Sequence, residues 1–292
     1  MRYNALPMLR ALLITKREDH NNATELRSRV AIAIVKLITV MGPHTTVAHL
    51  TEIVLKVVNV LKSRNQSMRD EAAATLTEIL KIVGVSHLPT VLTALNSTLC
   101  NGFQVHVLGS VVHGLVRGTL ANDSTTSNTS KTSKTANSGS TGINRKGNSV
   151  APRYLVQLKA DADTIWKSLP TLVAVVLEDV FGEVAVQKED DSGYRPEAMR
   201  ELKSCKSYDT FEVMCEALQF LPNPAVHIAV SPILQKLAGH PSHKTVNKVQ
   251  RLLQRAVVGL SHNHTVTVKN LLIYIHEIIT NYAFLVPPSQ QK

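Results

Sequence analysis

The chain has 292 residues, 44% of them hydrophobic and 4% aromatic, with 32 Lys and Arg against 22 Asp and Glu for a net charge of +10. That apolar fraction excludes wholesale disorder. Few aromatics and 13 glycines argue against a β-sandwich, a barrel or an enzyme built on several Gly-rich loops, whereas Leu, Val, Ile and Ala favour helix packed on helix.

At the N-terminus, Arg2, Arg10 and Lys16 interrupt the segment where a signal peptide would carry an apolar core, so no leader is expected. Val30 to Met41 is apolar but broken by Lys36, and no run approaches the ~18–20 residues of a membrane span, so no membrane partner is expected. Cys100, Cys205 and Cys215 are odd in number and unpaired in spacing, which fits a reducing compartment.

From residue 27 onward the chain echoes itself. A shift of 42 residues lays Arg27 on Arg69, Ala31 on Ala73, Ile34 on Leu76, Leu37 on Ile79, Ile38 on Leu80 and Gly42 on Gly84. Each unit reads as helix, glycine stop, helix, with the glycine in the left-handed conformation that ends helices. Ala73, Leu76, Leu80 and Val83 share one helix face, and Ile53, Val54, Val57, Val58 and Leu61 share another. One such helix pair cannot bury both faces; a stack of pairs can, which predicts an all-α solenoid of the HEAT/armadillo type. Ser67 is the expected N-cap of the second unit, with Asp70 and Glu71 in its first turn.

Helical repeats are therefore expected over 1–121. Residues 122–150 follow as a Ser/Thr/Asn-rich disordered loop of net charge +3, and the solenoid continues over 151–286, with a tail at 287–292. Beyond the loop the pattern predicts helices at Asp161–Leu177, Tyr208–Leu221, Ala225–Ala238, His243–Ser261 and Val266–Phe284, with an irregular charged stretch from Phe181 to Lys203.

No catalytic constellation emerges: there is no Gly-x-Ser-x-Gly elbow, and no Cys or His cluster at zinc spacing. No cofactor, metal or small-molecule substrate is expected. Gly142 to Gly147 resembles a phosphate loop only superficially, since no strand precedes it. His106 and His113, seven apart on one helix, read as buried between helices. Lys244, Lys248, Arg251 and Arg255 fall at steps of four, three and four on a segment with no Asp or Glu, with Leu252, Leu253, Val257 and Leu260 on its buried side. These four are candidate RNA phosphate contacts, and without interleaved aromatics they imply no base readout. Glu178, Asp179, Phe181 and Glu183 form an acidic candidate surface for docking a basic protein.

Several segments resemble one family in the same order. They are Val30 to Leu37, Arg69-Asp70 followed by Leu88-Pro89, Gly102 to Leu108, Phe181 to Ala185 with Gln187-Lys188-Glu189, and Lys206 to Glu212. The chain thus resembles an internal stretch of the HEAT-repeat component 20 family of the small-subunit processome, also called the "down-regulated in metastasis" family. The resemblance implies a nucleolar, non-catalytic α-solenoid scaffold for pre-rRNA processing and small-subunit biogenesis. Its partners would be pre-rRNA, small nucleolar RNA and other processome proteins. A HEAT-type protein-interaction or nuclear-transport adaptor without an RNA role is the alternative.

Overall fold

A computed structural model of the chain describes residues 8–9, 11–16, 24–120, 153–183, 185, 201, 204–218, 225–238 and 241–282. The expected loop at 122–150, the tail at 287–292 and most of the stretch from 182 to 203 lie outside the described residues.

Ten α-helices are described: α1 Ser28–Val40, α2 Pro43–Val60, α3 Gln66–Val83, α4 Leu88–Thr98, α5 Gln104–Leu120, α6 Arg153–Phe181, α7 Ser207–Ala217, α8 Ala225–Gln235, α9 His243–His262 and α10 Val268–Tyr282. They stack in two layers. In one, α1 packs on α3, α3 on α5, α5 on α7 and α7 on α9; in the other, α2 packs on α4, α4 on α6 and α6 on α8. This is the all-α solenoid that the 42-residue echo predicts. Each helix buries an apolar stripe against its neighbours, giving one continuous core from Leu13 to Tyr274. Ile53, Val54, Val57, Val58 and Leu61 are all buried, as are Leu76 and Leu80. Among the described residues no single helix is long and apolar enough to cross a membrane.

An antiparallel ribbon precedes the helices, β1 Ile14–Lys16 paired with β2 Thr24–Leu26. Three-residue strands are too short to show a periodicity of two, so nothing in the pattern announces them. Leu13 and Leu26 at its base are buried in the core of the stack.

The helix boundaries follow local chemistry, with three departures from expectation besides α6, which runs from Arg153 to Phe181 where Asp161–Leu177 is expected. The N-cap of α3 is Asn65, whose side chain accepts a 3.0 Å bond from the Ser67 N–H; Ser67 itself lies inside the helix. The helix therefore starts earlier than expected, and Asp70 and Glu71 fall beyond its first turn, where the helix dipole no longer favours them. Gly42 (φ 113°, ψ 166°) and Gly84 (φ 90°, ψ 161°) do have positive φ, but with extended ψ rather than the left-handed helical value. That region is essentially open to glycine alone. It lets the chain break at Gly42 before Pro43 starts α2, and at Gly84 before the short 3-10 turn Val85–His87. The third departure is on α9, where Val257 is 66% exposed. The buried side is Val249, Leu252, Ala256 and Gly259, with Leu253 and Leu260 only partly buried.

Small residues win on α9 because α7 comes close. A Cβ on Gly259 would collide with the Glu212 carbonyl oxygen and lie 2.8 Å from the Cys215 Cβ. Asn263, just past α9, is buried and donates to the Cys215 carbonyl at 2.9 Å and to the Leu218 carbonyl, tying the two helix ends together. Replacing Gly84 by Ala forces a side chain into a glycine-only conformation. It is expected to lower stability by about 1–3 kcal/mol with helix content retained, and urea unfolding followed by circular dichroism checks this.

Candidate nucleic-acid interface and docking surface

Ser242 caps α9, accepting a 3.1 Å bond from the Thr245 N–H, and the helix then runs unbroken to His262. This fixes Lys244, Lys248, Arg251 and Arg255 on one face, as their spacing requires. Lys244 is exposed and Lys248 half-buried. The other two are engaged by α7. The Arg251 guanidinium lies 4.3 Å from the centre of the Tyr208 ring, a cation–π stack. Arg255 divides its fork between two carboxylates, with Nη1 2.5 Å from Glu212 Oε2 and Nη2 3.4 Å from Asp209 Oδ1. The bond to Glu212 is the main reason that the Arg255 pKa lies above its ordinary value. Lys206 Nζ, 3.1 Å from Asp209 Oδ2, completes the cluster. The stripe is thus one surface with two characters: lysines at its N-terminal half, guanidiniums held by a neighbouring helix at its C-terminal half.

The acidic surface divides differently. Glu178 and Glu183 are exposed, and Phe181 is half-buried with Lys236 Nζ 5.8 Å from its ring centre. Asp179 does not belong to that surface. It is 3% exposed and sits at the meeting of three helices. Its Oδ1 is 2.6 Å from His106 Nδ1 of α5, while Oδ2 accepts from Cys205 Sγ at 3.2 Å and from the Ser207 hydroxyl of α7. One helical step separates Glu178 from Asp179, about 100° of rotation, and that turns one carboxylate outward and the next into the core. Gly109 on α5 makes the room: a Cβ there would be 2.6 Å from Asp179 Oδ2. His113, one of the two histidines expected between helices, is half-buried with Nδ1 3.3 Å from the Thr210 hydroxyl. Burial, partly opposed by Asp209, holds its pKa below the ordinary histidine value.

Cys215 is buried and its thiol is pushed up to about 12 by that burial, so it is inert as a nucleophile. Among the described residues no group of three or more His, Cys, Asp or Glu side chains converges to hold a metal. Ser207, His106 and Asp179 do not form a catalytic relay, because the serine hydroxyl bonds to the aspartate rather than to the imidazole.

Residues 17–279 match the sequence family described as the U3 small nucleolar RNA-associated protein 20 domain. The chain belongs to that family. It is 24% identical over 268 residues to U3 small nucleolar RNA-associated protein 20 of Schizosaccharomyces pombe, covering 92% of this chain and 9% of the relative. To the protein of the same name from Saccharomyces cerevisiae it is 25% identical over 252 residues, covering 86% of this chain and 8% of the relative. The chain spans less than a tenth of the length of these curated relatives.

In this family member Arg69, part of the resembling Arg69-Asp70 segment, is itself buried. Its Nε and Nη2 form a two-pronged pair with Glu201 at 3.0 and 2.9 Å, and its Nη1 donates to the Ser63 and Arg64 carbonyls at 3.0 and 2.9 Å. Gln66 Nε2 reaches the same carboxylate at 3.1 Å. Sequence reasoning missed this pair, because no local pattern links residues 132 positions apart. Burial works to raise the Glu201 pKa, but the bonds from Arg69, its own backbone and Gln66 outweigh it and leave the carboxyl below its ordinary value. The stabilisation is therefore present above the ordinary glutamate range and lost as the pH falls through the lowered value. Arg69→Met strands a buried carboxylate and should cost about 3–5 kcal/mol, while Arg69→Met with Glu201→Leu should recover most of it. Urea unfolding of the two variants at neutral pH, repeated in acid where the difference should shrink, tests both statements.

Proposed function

We propose that this chain is a non-catalytic scaffold segment of the small-subunit processome, supporting pre-rRNA processing and small ribosomal subunit biogenesis from the nucleolus. The observation that carries this reading is the family match across residues 17–279, which is nearly the whole stack. The names of the relatives associate them with U3 small nucleolar RNA, and a net charge of +10 suits an RNA-rich setting. The geometry suggests how such a segment works. Stacked helix pairs present long rigid faces that keep partners in register. Lys244 and Lys248, with Arg251 and Arg255, would meet RNA phosphates by charge. Glu178 and Glu183, beside Phe181, would meet a basic protein.

The adaptor reading, a HEAT-type protein-interaction or nuclear-transport solenoid with no RNA role, draws support from the engagement of Arg251 and Arg255 by α7. Capture of the tagged native protein with and without nuclease separates the two. Recovery of pre-rRNA and small nucleolar RNA, lost on nuclease treatment, supports the scaffold; protein partners unchanged by nuclease support the adaptor. Lys244→Glu with Lys248→Glu reverses two cationic contacts. It is expected to weaken binding of a single-stranded RNA oligonucleotide by about tenfold or more at moderate salt and to flatten its salt dependence. Fluorescence anisotropy across a salt series, with circular dichroism as the fold control, measures this.

A further inference from the structure

The charge of α9 is one-sided, since His243–His262 contains no Asp or Glu. The balancing charge comes from α7, where Asp209, Glu212 and Glu216 at steps of three and four share a helix face. Two of these carboxylates grip Arg255 in the way a guanidinium fork grips two phosphate oxygens. We infer that Asp209 and Glu212 form an internal phosphate-mimicking latch on Arg255, which RNA phosphate must displace before the whole α9 stripe engages. The inference rests on the reading of α9 as a phosphate-contacting face.

Three observations carry it. The latch is reachable: the side chains of Arg255, Asp209 and Glu212 are 38%, 34% and 27% exposed, whereas those of Arg69 and Glu201 are 2% and 6% exposed. It is weak enough to exchange, because exposed ion pairs typically contribute about 0.2–1 kcal/mol each. A fully buried pair like Arg69–Glu201 has no such freedom. Finally, opening it does not dismantle the fold. The α7–α9 contact is also made by Gly259 against the Glu212 backbone and Cys215, by Asn263 on the Cys215 and Leu218 carbonyls, and by Arg251 on the Tyr208 ring. Arg255 is thus released or held without moving either helix, and the carboxylates tune how many cations the stripe offers.

The test is a mutant cycle read by anisotropy on a fluorescein-labelled single-stranded RNA oligonucleotide of mixed sequence. Asp209→Asn with Glu212→Gln should bind about three- to tenfold tighter than wild type. Its salt slope should be steeper by about 0.7, the contribution of one added phosphate contact on a single strand. Adding Arg255→Gln should abolish both gains, while Arg255→Gln in the wild-type background should change affinity less than twofold. Glu212→Gln alone, a milder change, should give a smaller gain of the same kind if the double variant fails its circular dichroism control. A gain that survives Arg255→Gln undiminished would be general relief of repulsion and would overturn the latch. So would unchanged affinity in a protein that still loses RNA on Lys244→Glu with Lys248→Glu. If that lysine pair has no effect either, the phosphate-contacting reading of α9 fails together with the latch.

Discussion

A buried carboxylate needs partners, and in this chain the partners of Asp179 come from elements on either side of it. An aspartate taken from water without hydrogen bonds would cost several kcal/mol, so the fold is stable only where His106, Cys205 and Ser207 converge on it. Those residues fix the crossing of α5, α6 and α7 at the centre of the stack. The half of the solenoid before residue 121 is thereby joined in one geometry to the half after 152. Apolar stripes alone would hold the layers together, but they tolerate sliding; a carboxylate with three directional partners does not. Gly109 belongs to the same requirement, since any side chain there would occupy the carboxylate's place.

The layer architecture was legible because it is written in local periodicity. Glycine stops at 42 and 84, apolar stripes at three- and four-residue steps, and the echo between the first two units suffice to announce stacked helix pairs. The helix that holds the basic stripe was expected to within one residue at its C-terminal end. What stayed hidden depends on separation or on small rotations. Arg69 and Glu201 meet across a separation of 132 residues, and Glu178 and Asp179 differ only by which side of α6 they occupy. On α9 the closest approach to α7 is at Gly259, while the larger Val257 is exposed, because close approach rewards the absence of a side chain. Hydrophobicity counts cannot see that preference.

The same local logic separates the two kinds of arginine. Arg69 is a structural residue by burial and by the completeness of its hydrogen bonding, with five acceptor atoms around one guanidinium. Arg255 has similar chemistry at the rim, where water competes for every bond. A charged motif in a solenoid therefore carries little meaning until the exposure of its members is known. On α9, where no Asp or Glu stands, the neighbouring α7 supplies counter-charge from Asp209 and Glu212.

The polar ties across the middle of the stack have a consequence for how the gene can vary. His106 and Asp179 are 73 residues apart, and the intervening polypeptide includes the Ser/Thr/Asn-rich stretch. The pairing of α5 with α6 is set by this directional contact, so the contact itself requires no particular length or wording of the sequence between them.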